Sequence, residues 1–202
     1  MKRITILTLL VFATVLVNAQ SFGVRGGVNF SNMIRTGDDD ADTEFKTGFH
    51  AGVTMDIPLV DRLSFAPEVM YSQKGYKTSR SGLLGGDNTF TVNTNFIEIP
   101  ILLKIKAASG FNIHLGPQIS FLTSTTTTFD NGSDAYKRTV NEENEKLRKN
   151  LIGGVLGVGF DLSKKASLVA RYALDLQKND ENGSEIPEYK NQVIQLGIGL
   201  KL

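Results

Sequence analysis

The stretch Asn95-Phe96-Ile97-Glu98-Ile99-Pro100-Ile101-Leu102-Leu103-Lys104-Ile105-Lys106-Ala107-Ala108-Ser109-Gly110-Phe111-Asn112-Ile113-His114-Leu115-Gly116-Pro117-Gln118-Ile119-Ser120-Phe121 decides the fold. In its first arm Ile97, Ile99, Ile101, Leu103 and Ile105 alternate with Glu98, Pro100, Leu102, Lys104 and Lys106. A tight turn over 107–110 follows. In the second arm Phe111, Ile113, Leu115, Pro117, Ile119 and Phe121 alternate with Asn112, His114, Gly116, Gln118 and Ser120. Successive strand side chains point to opposite faces, so this is a hairpin with one apolar and one polar face. Each arm has roughly ten residues, the length a tilted strand needs to cross a bilayer core.

The same period-two pattern recurs on both sides. Strands are predicted near 21–32, 47–57, 63–72, 151–162, 167–176 and 194–202, which makes eight with the central pair. Their connections alternate in length. Those over 33–46, 75–94, 123–150 and 179–191 are long; the three between them are tight turns. Long connections therefore all fall at one end, as in an outer-membrane barrel with short periplasmic turns and long external loops. The third long connection opens on a threonine run, Thr123 to Thr128, that suits an extended hairpin. Its charged part over 140–149 is compatible with a short helix or a solvated coil.

The fold expected is all-β: an eight-stranded antiparallel up-and-down transmembrane β-barrel over 20–202. Residues 1–19 read as a signal peptide, with Lys2 and Arg3 ahead of an apolar run and Val17-Asn18-Ala19 as the cleavage site. On average the chain is slightly polar, which suits a barrel because only alternate strand residues meet lipid. Aromatic positions give a second line of support. Phe22, Phe65, Phe111 and Phe160 fall near the periplasmic rim, while Phe30, Phe49, Tyr71 and Phe121 fall near the other, as two girdles.

The chain has no Cys, which excludes disulfides, thiol nucleophiles and thiolate metal sites. A net charge of +1 argues against a nucleic-acid partner. No cofactor is implied. The acidic residues Asp38, Asp39, Asp40, Asp42 and Glu44 lack the spacing of an ordered calcium loop. The lipid face offers no His, Asp or Glu and the long connections hold no His, so no enzyme is expected.

The inward face carries Arg25, Lys74, Lys104, Lys106, Arg171 and Lys201 against Asp56, Glu68, Glu98, Asp161 and Asp175, with His50 and His114. A barrel of this size is filled by its own side chains, and buried charges have to be paired. Nearly balanced signs therefore predict a plug of ion pairs more than an ion-selective pore, with a gated polar path for protons or small solutes as the other reading. Arg171 is a possible cross-lumen partner for Glu68 and Glu98. Pro67, Pro100 and Pro117 cannot donate to a ladder and are expected to mark bulges or bends, with facing free to shift beyond each.

These segments resemble the PorT-like outer-membrane β-barrel family of Bacteroidetes, a porin-family group. The resemblance lies in Phe22-Gly23-Val24-Arg25-Gly26-Gly27-Val28-Asn29-Phe30-Ser31, Pro67-Glu68-Val69-Met70-Tyr71, Glu98-Ile99-Pro100, Leu115-Gly116-Pro117 and the closing Gly197-Ile198-Gly199-Leu200-Lys201-Leu202. It implies a small barrel in the cell outer membrane. One departure is the terminal Leu202, where many such barrels end in an aromatic residue.

The function expected is non-enzymatic: a monomeric scaffold held by outer-membrane lipids, whose four external loops serve adhesion or bind a surface or envelope protein. A narrow porin-like or secretion-linked component is the alternative. A soluble lipocalin-like carrier of a hydrophobic ligand would instead need the apolar faces turned inward.

Overall fold

The computed structural model describes residues 20–35, 43–81, 87–130, 135–140, 149–178 and 189–202. The expected signal peptide, the acidic residues Asp38 to Asp42 and most of the 140–149 stretch lie outside them. Nine strands follow in order: β1 (Ser21–Arg35), β2 (Lys46–Val60), β3 (Leu63–Ser81), β4 (Asp87–Ala108), β5 (Phe111–Asp130), β6 (Ala135–Val140), β7 (Asn150–Asp161), β8 (Ala166–Asp175) and β9 (Tyr189–Lys201). Eight of them close an antiparallel up-and-down ring in which β5 pairs with β7 and β9 returns to β1. The ninth, β6, pairs only with the far end of β5, Thr125↔Val140 to Asp130↔Ala135. Closure removes every strand edge from the lipid zone, so no open row of backbone N–H and C=O groups faces lipid there.

Facing follows the alternation along the whole ring. Val53, Leu156 and Ile198 are 56%, 60% and 54% exposed on the outside, whereas Arg25, Glu68, Glu98, His114 and Arg171 are buried within. This orientation overturns the lipocalin-like alternative, because an exterior this apolar needs lipid around it. Phe111 pairs with Phe160 at the short-turn end, and the Phe49 and Tyr71 rings lie 5.6 Å apart at the other.

Two expectations are corrected. The residues over 75–94 are mostly strand: β3 and β4 stay in register from Gly75↔Asn93 to Ser81↔Asp87, and only 82–86 fall outside the described residues. The apolar-polar alternation fades there once lipid no longer touches one face, yet the ladder continues, helped by Tyr76 and Phe90 rings 6.5 Å apart. The prolines, in turn, mark no bulge. Pro67↔Ile101, Pro100↔Gln118 and Pro117↔Gly154 all lie in unbroken register. The β4–β5 ladder shifts twice, at Thr123 between the pairs Asn95↔Ser124 and Phe96↔Leu122, and beside the tight turn between Lys106↔Asn112 and Ala108↔Phe111. At the first shift the Thr123 hydroxyl donates to the Asn95 carbonyl at 2.8 Å.

Candidate functional site

Among the described residues three ion clusters occupy the lumen, and the strand stagger determines which residues meet. At the level nearer the short turns, Glu68 of β3 receives two guanidinium groups. Arg171 of β8 approaches it end-on, Nη1 to Oε2 at 2.8 Å and Nη2 to Oε1 at 2.9 Å, and Arg25 of β1 pairs with Oε2. All three are at most 6% exposed. Arg171 also donates from Nη2 to His114 Nδ1 at 2.9 Å. That nitrogen must then be a bare acceptor, so the ring proton sits on Nε2 and is donated to Asn112 Oδ1 at 2.5 Å. Hydrogen bonding thus fixes His114 as neutral.

Towards the external end, Lys74 of β3 lies completely buried between Glu98 Oε1 at 2.6 Å and Asp175 Oδ1 at 3.3 Å. Its ammonium also stands 5.0 Å from the centre of the Phe96 ring. Asn191 Nδ2 donates to the second oxygen of Asp175 at 2.7 Å. The third pair, Lys104 to Asp56 at 2.9 Å, is at the short-turn mouth and only partly buried.

Between the two deep clusters the interior is apolar along β8, at Ala173, and mixed along β3, at Met70 and Ser72. Ala66, Leu102, Val155, Ala173 and Val193 form one buried set, with Leu102 fully enclosed. On β8 the inward order Arg171, Ala173, Asp175 shows the layering directly: lower cluster, apolar layer, upper cluster. The filled lumen is therefore not polar throughout, as its charged residues alone suggest. Leu102 is inward on the sequence pattern but carries no charge to draw notice, and Val155, Ala173 and Val193 are equally unmarked.

The expected inward residues do not all join these clusters. Arg171 bonds Glu68, while Glu98 is taken by Lys74. His50 is buried apart, its Nδ1–H donating to Asn29 Oδ1 at 2.8 Å. Asn29 passes the network on to Ser72 Oγ and to the carbonyls of Phe49 and Gln73. His50 fits because Gly27 and Gly197 face it; a Cβ on either would come within 2.9 Å of the ring. Asp161 is half-buried at the rim, where its backbone N–H bonds the Gly110 carbonyl. Lys201 is half-buried at the mouth, close enough to feel the charge of Asp56. Lys106 is exposed, beyond the lumen. The uncharged partners Asn29, Asn112 and Asn191 escape a reading that looks for charge alone.

A family model described as an outer membrane protein beta-barrel domain matches residues 18–181. Among solved structures, Neisserial surface protein A is 15% identical; the match covers 90% of this chain and 97% of that one, with a TM-score of 0.51. Ail, the attachment invasion locus protein of Yersinia pestis, is 12% identical over 90% and 98%, with a TM-score of 0.46. OprG from Pseudomonas aeruginosa is 15% identical over 91% and 96%, with a TM-score of 0.40. At such identity the likeness to Neisserial surface protein A is one of fold. No curated protein matches the sequence.

Proposed function

The chain belongs to the outer membrane protein β-barrel domain family and resides in the outer membrane, and from that premise we propose that it is a non-enzymatic, plugged scaffold that presents its long hairpins to a partner outside the cell. The reading takes the segment 1–19 as its cleaved signal peptide. One observation carries it: two buried ion clusters and a buried apolar layer that includes Leu102 fill the lumen. A hydrated path would have to break both clusters and wet that layer, and each step is costly in a low-dielectric interior. The mass of chain beyond the membrane supports the second half of the reading. There β3, β4, β5 and β6 run on as a sheet through Ser81↔Asp87, Thr89↔Asp130 and Asp130↔Ala135.

A finer assignment to the PorT-like barrels rests on the Pro67-Glu68 and Glu98-Ile99-Pro100 segments. Their two carboxylates are acceptors in the two deep clusters, one in each, so those segments serve the plug in this barrel whatever its partner.

Two measurements test the proposal. In planar bilayers the purified chain is expected to give no conductance steps. Replacing 131–148 by a short Gly-Ser linker is expected to abolish adhesion of cells displaying the barrel to matrix or host surfaces while leaving its membrane insertion unchanged. Regular conductance steps together with unaltered adhesion would overturn the scaffold reading in favour of a porin-like one.

A further inference from the structure

The lumen has an unbalanced charge at its short-turn end. A cavity of about 60 Å³ opens there, lined among others by Arg25, Lys104, Arg171 and Lys201, with Asp56 and Glu68 as its carboxylates. Glu68 already serves both arginines, and Asp56 is bonded to Lys104. Lys201 faces the same Asp56 without an ion pair to it among the described residues. His114, which also lines the cavity, contributes no charge because it accepts from Arg171. Four cations thus face two anions around one space, two of the cations deeply buried.

A second observation points the same way. Arg171 Nε is buried and has no hydrogen-bond acceptor, although both Nη atoms of the same guanidinium are bonded. An unpaired N–H on a buried cation is among the costlier arrangements in a protein interior. An acceptor carrying negative charge would answer the surplus charge and, where it reaches past the Nη atoms of Arg171, the orphan donor as well.

We propose that this cavity is an anion site that takes one small oxyanion, held by Arg171 and Arg25 from within and by Lys201 and Lys104 from the mouth. Its volume suits a sulfate, a phosphate or a carboxylate group, or a few waters. The mouth is at the ends of β1, β2, β4, β8 and β9 marked by Ser21, Asp56, Lys104, Ser167 and Lys201, so the ion enters from the side of the short turns. Bound there, it completes the lower half of the plug. The scaffold role does not depend on this site.

Equilibrium dialysis of the folded chain in zwitterionic detergent, at fixed ionic strength, tests the site with radiolabelled sulfate, phosphate and acetate in separate arms. Saturable binding of about one equivalent is expected, and the tightest arm identifies the oxyanion class. Lys201→Gln and Lys104→Gln should each weaken it about tenfold. Lys164→Gln in the exposed turn should leave it unchanged. Arg171→Lys keeps the charge but removes Nε–H and should also weaken binding; if it fails to fold, the two mouth variants decide alone. Absence of saturable binding in all three arms, meaning that water alone fills the cavity, overturns the proposal. Equal losses from Lys164→Gln and Lys201→Gln overturn it too, as bulk charge would then explain the uptake.

Discussion

Arg171 and Glu68, 103 positions apart in the chain, meet across the lumen in a two-pronged pair with both N–O distances below 3 Å. Arg25 shares the same carboxylate, so this cluster holds two guanidinium groups on a single acceptor. Removing the acceptor and removing one donor therefore have unequal consequences. Glu68→Gln strands both cations and should cost about 3–5 kcal/mol of folding stability. Arg171→Met leaves the balanced Arg25–Glu68 pair and should cost clearly less. Urea unfolding in lipid vesicles orders the two variants; a larger loss from Arg171→Met would contradict the shared-acceptor geometry.

Leu102 is fully enclosed in the buried apolar layer of the lumen. Leu102→Ala should open a cavity there and destabilise the barrel by about 2–4 kcal/mol. The same vesicle unfolding experiment measures it. A loss below about 1 kcal/mol would mean that the layer is loosely packed.

Leu156 points the other way, 60% exposed on β7 between the outward residues Ile152 and Phe160. Its place midway along the apolar band puts it near the bilayer centre. Leu156→Lys should cost about 2–4 kcal/mol. Full stability of that variant in vesicles would show that this side of β7 does not meet acyl chains.

Gly75 and Gly154 provide a matched pair. Gly75 has φ +141°, and an added Cβ would collide with the Val92 carbonyl across the β3–β4 ladder. Around Gly154, which faces lipid, a Cβ meets nothing within 4 Å. Gly75→Ala should lower stability by more than about 1 kcal/mol, whereas Gly154→Ala should stay within about 0.5 kcal/mol of the parent. Thermal melts followed by circular dichroism separate the two outcomes, and equal behaviour would remove the strained position at Gly75.

Much of the barrel was legible from period-two alternation because lipid on one side and a narrow interior on the other impose opposite chemistry on neighbouring residues. Ile97 to Ile105 could face only outward, and Glu98 beside them only inward. The hairpin beyond Gly75 was not legible, since similar surroundings on both faces remove the alternation while the hydrogen-bond ladder persists. Pro67, Pro100 and Pro117 misled because a missing donor interrupts one rung without displacing the register. Thr123, where one of the two β4–β5 shifts falls, has no such signature.

From the sequence alone came the strand count of the ring, the end that bears the long connections, and the sign of nearly every inward side chain. Tertiary structure alone decided who meets whom: that Glu68 takes Arg171 and Arg25, that Lys74 takes Glu98 and Asp175, and that Leu102 packs with Ala66, Val155, Ala173 and Val193. The reason is physical. Facing is a local property of each strand, whereas partnership across a lumen depends on the tilt and stagger of strands that close around a ring, which no single segment encodes.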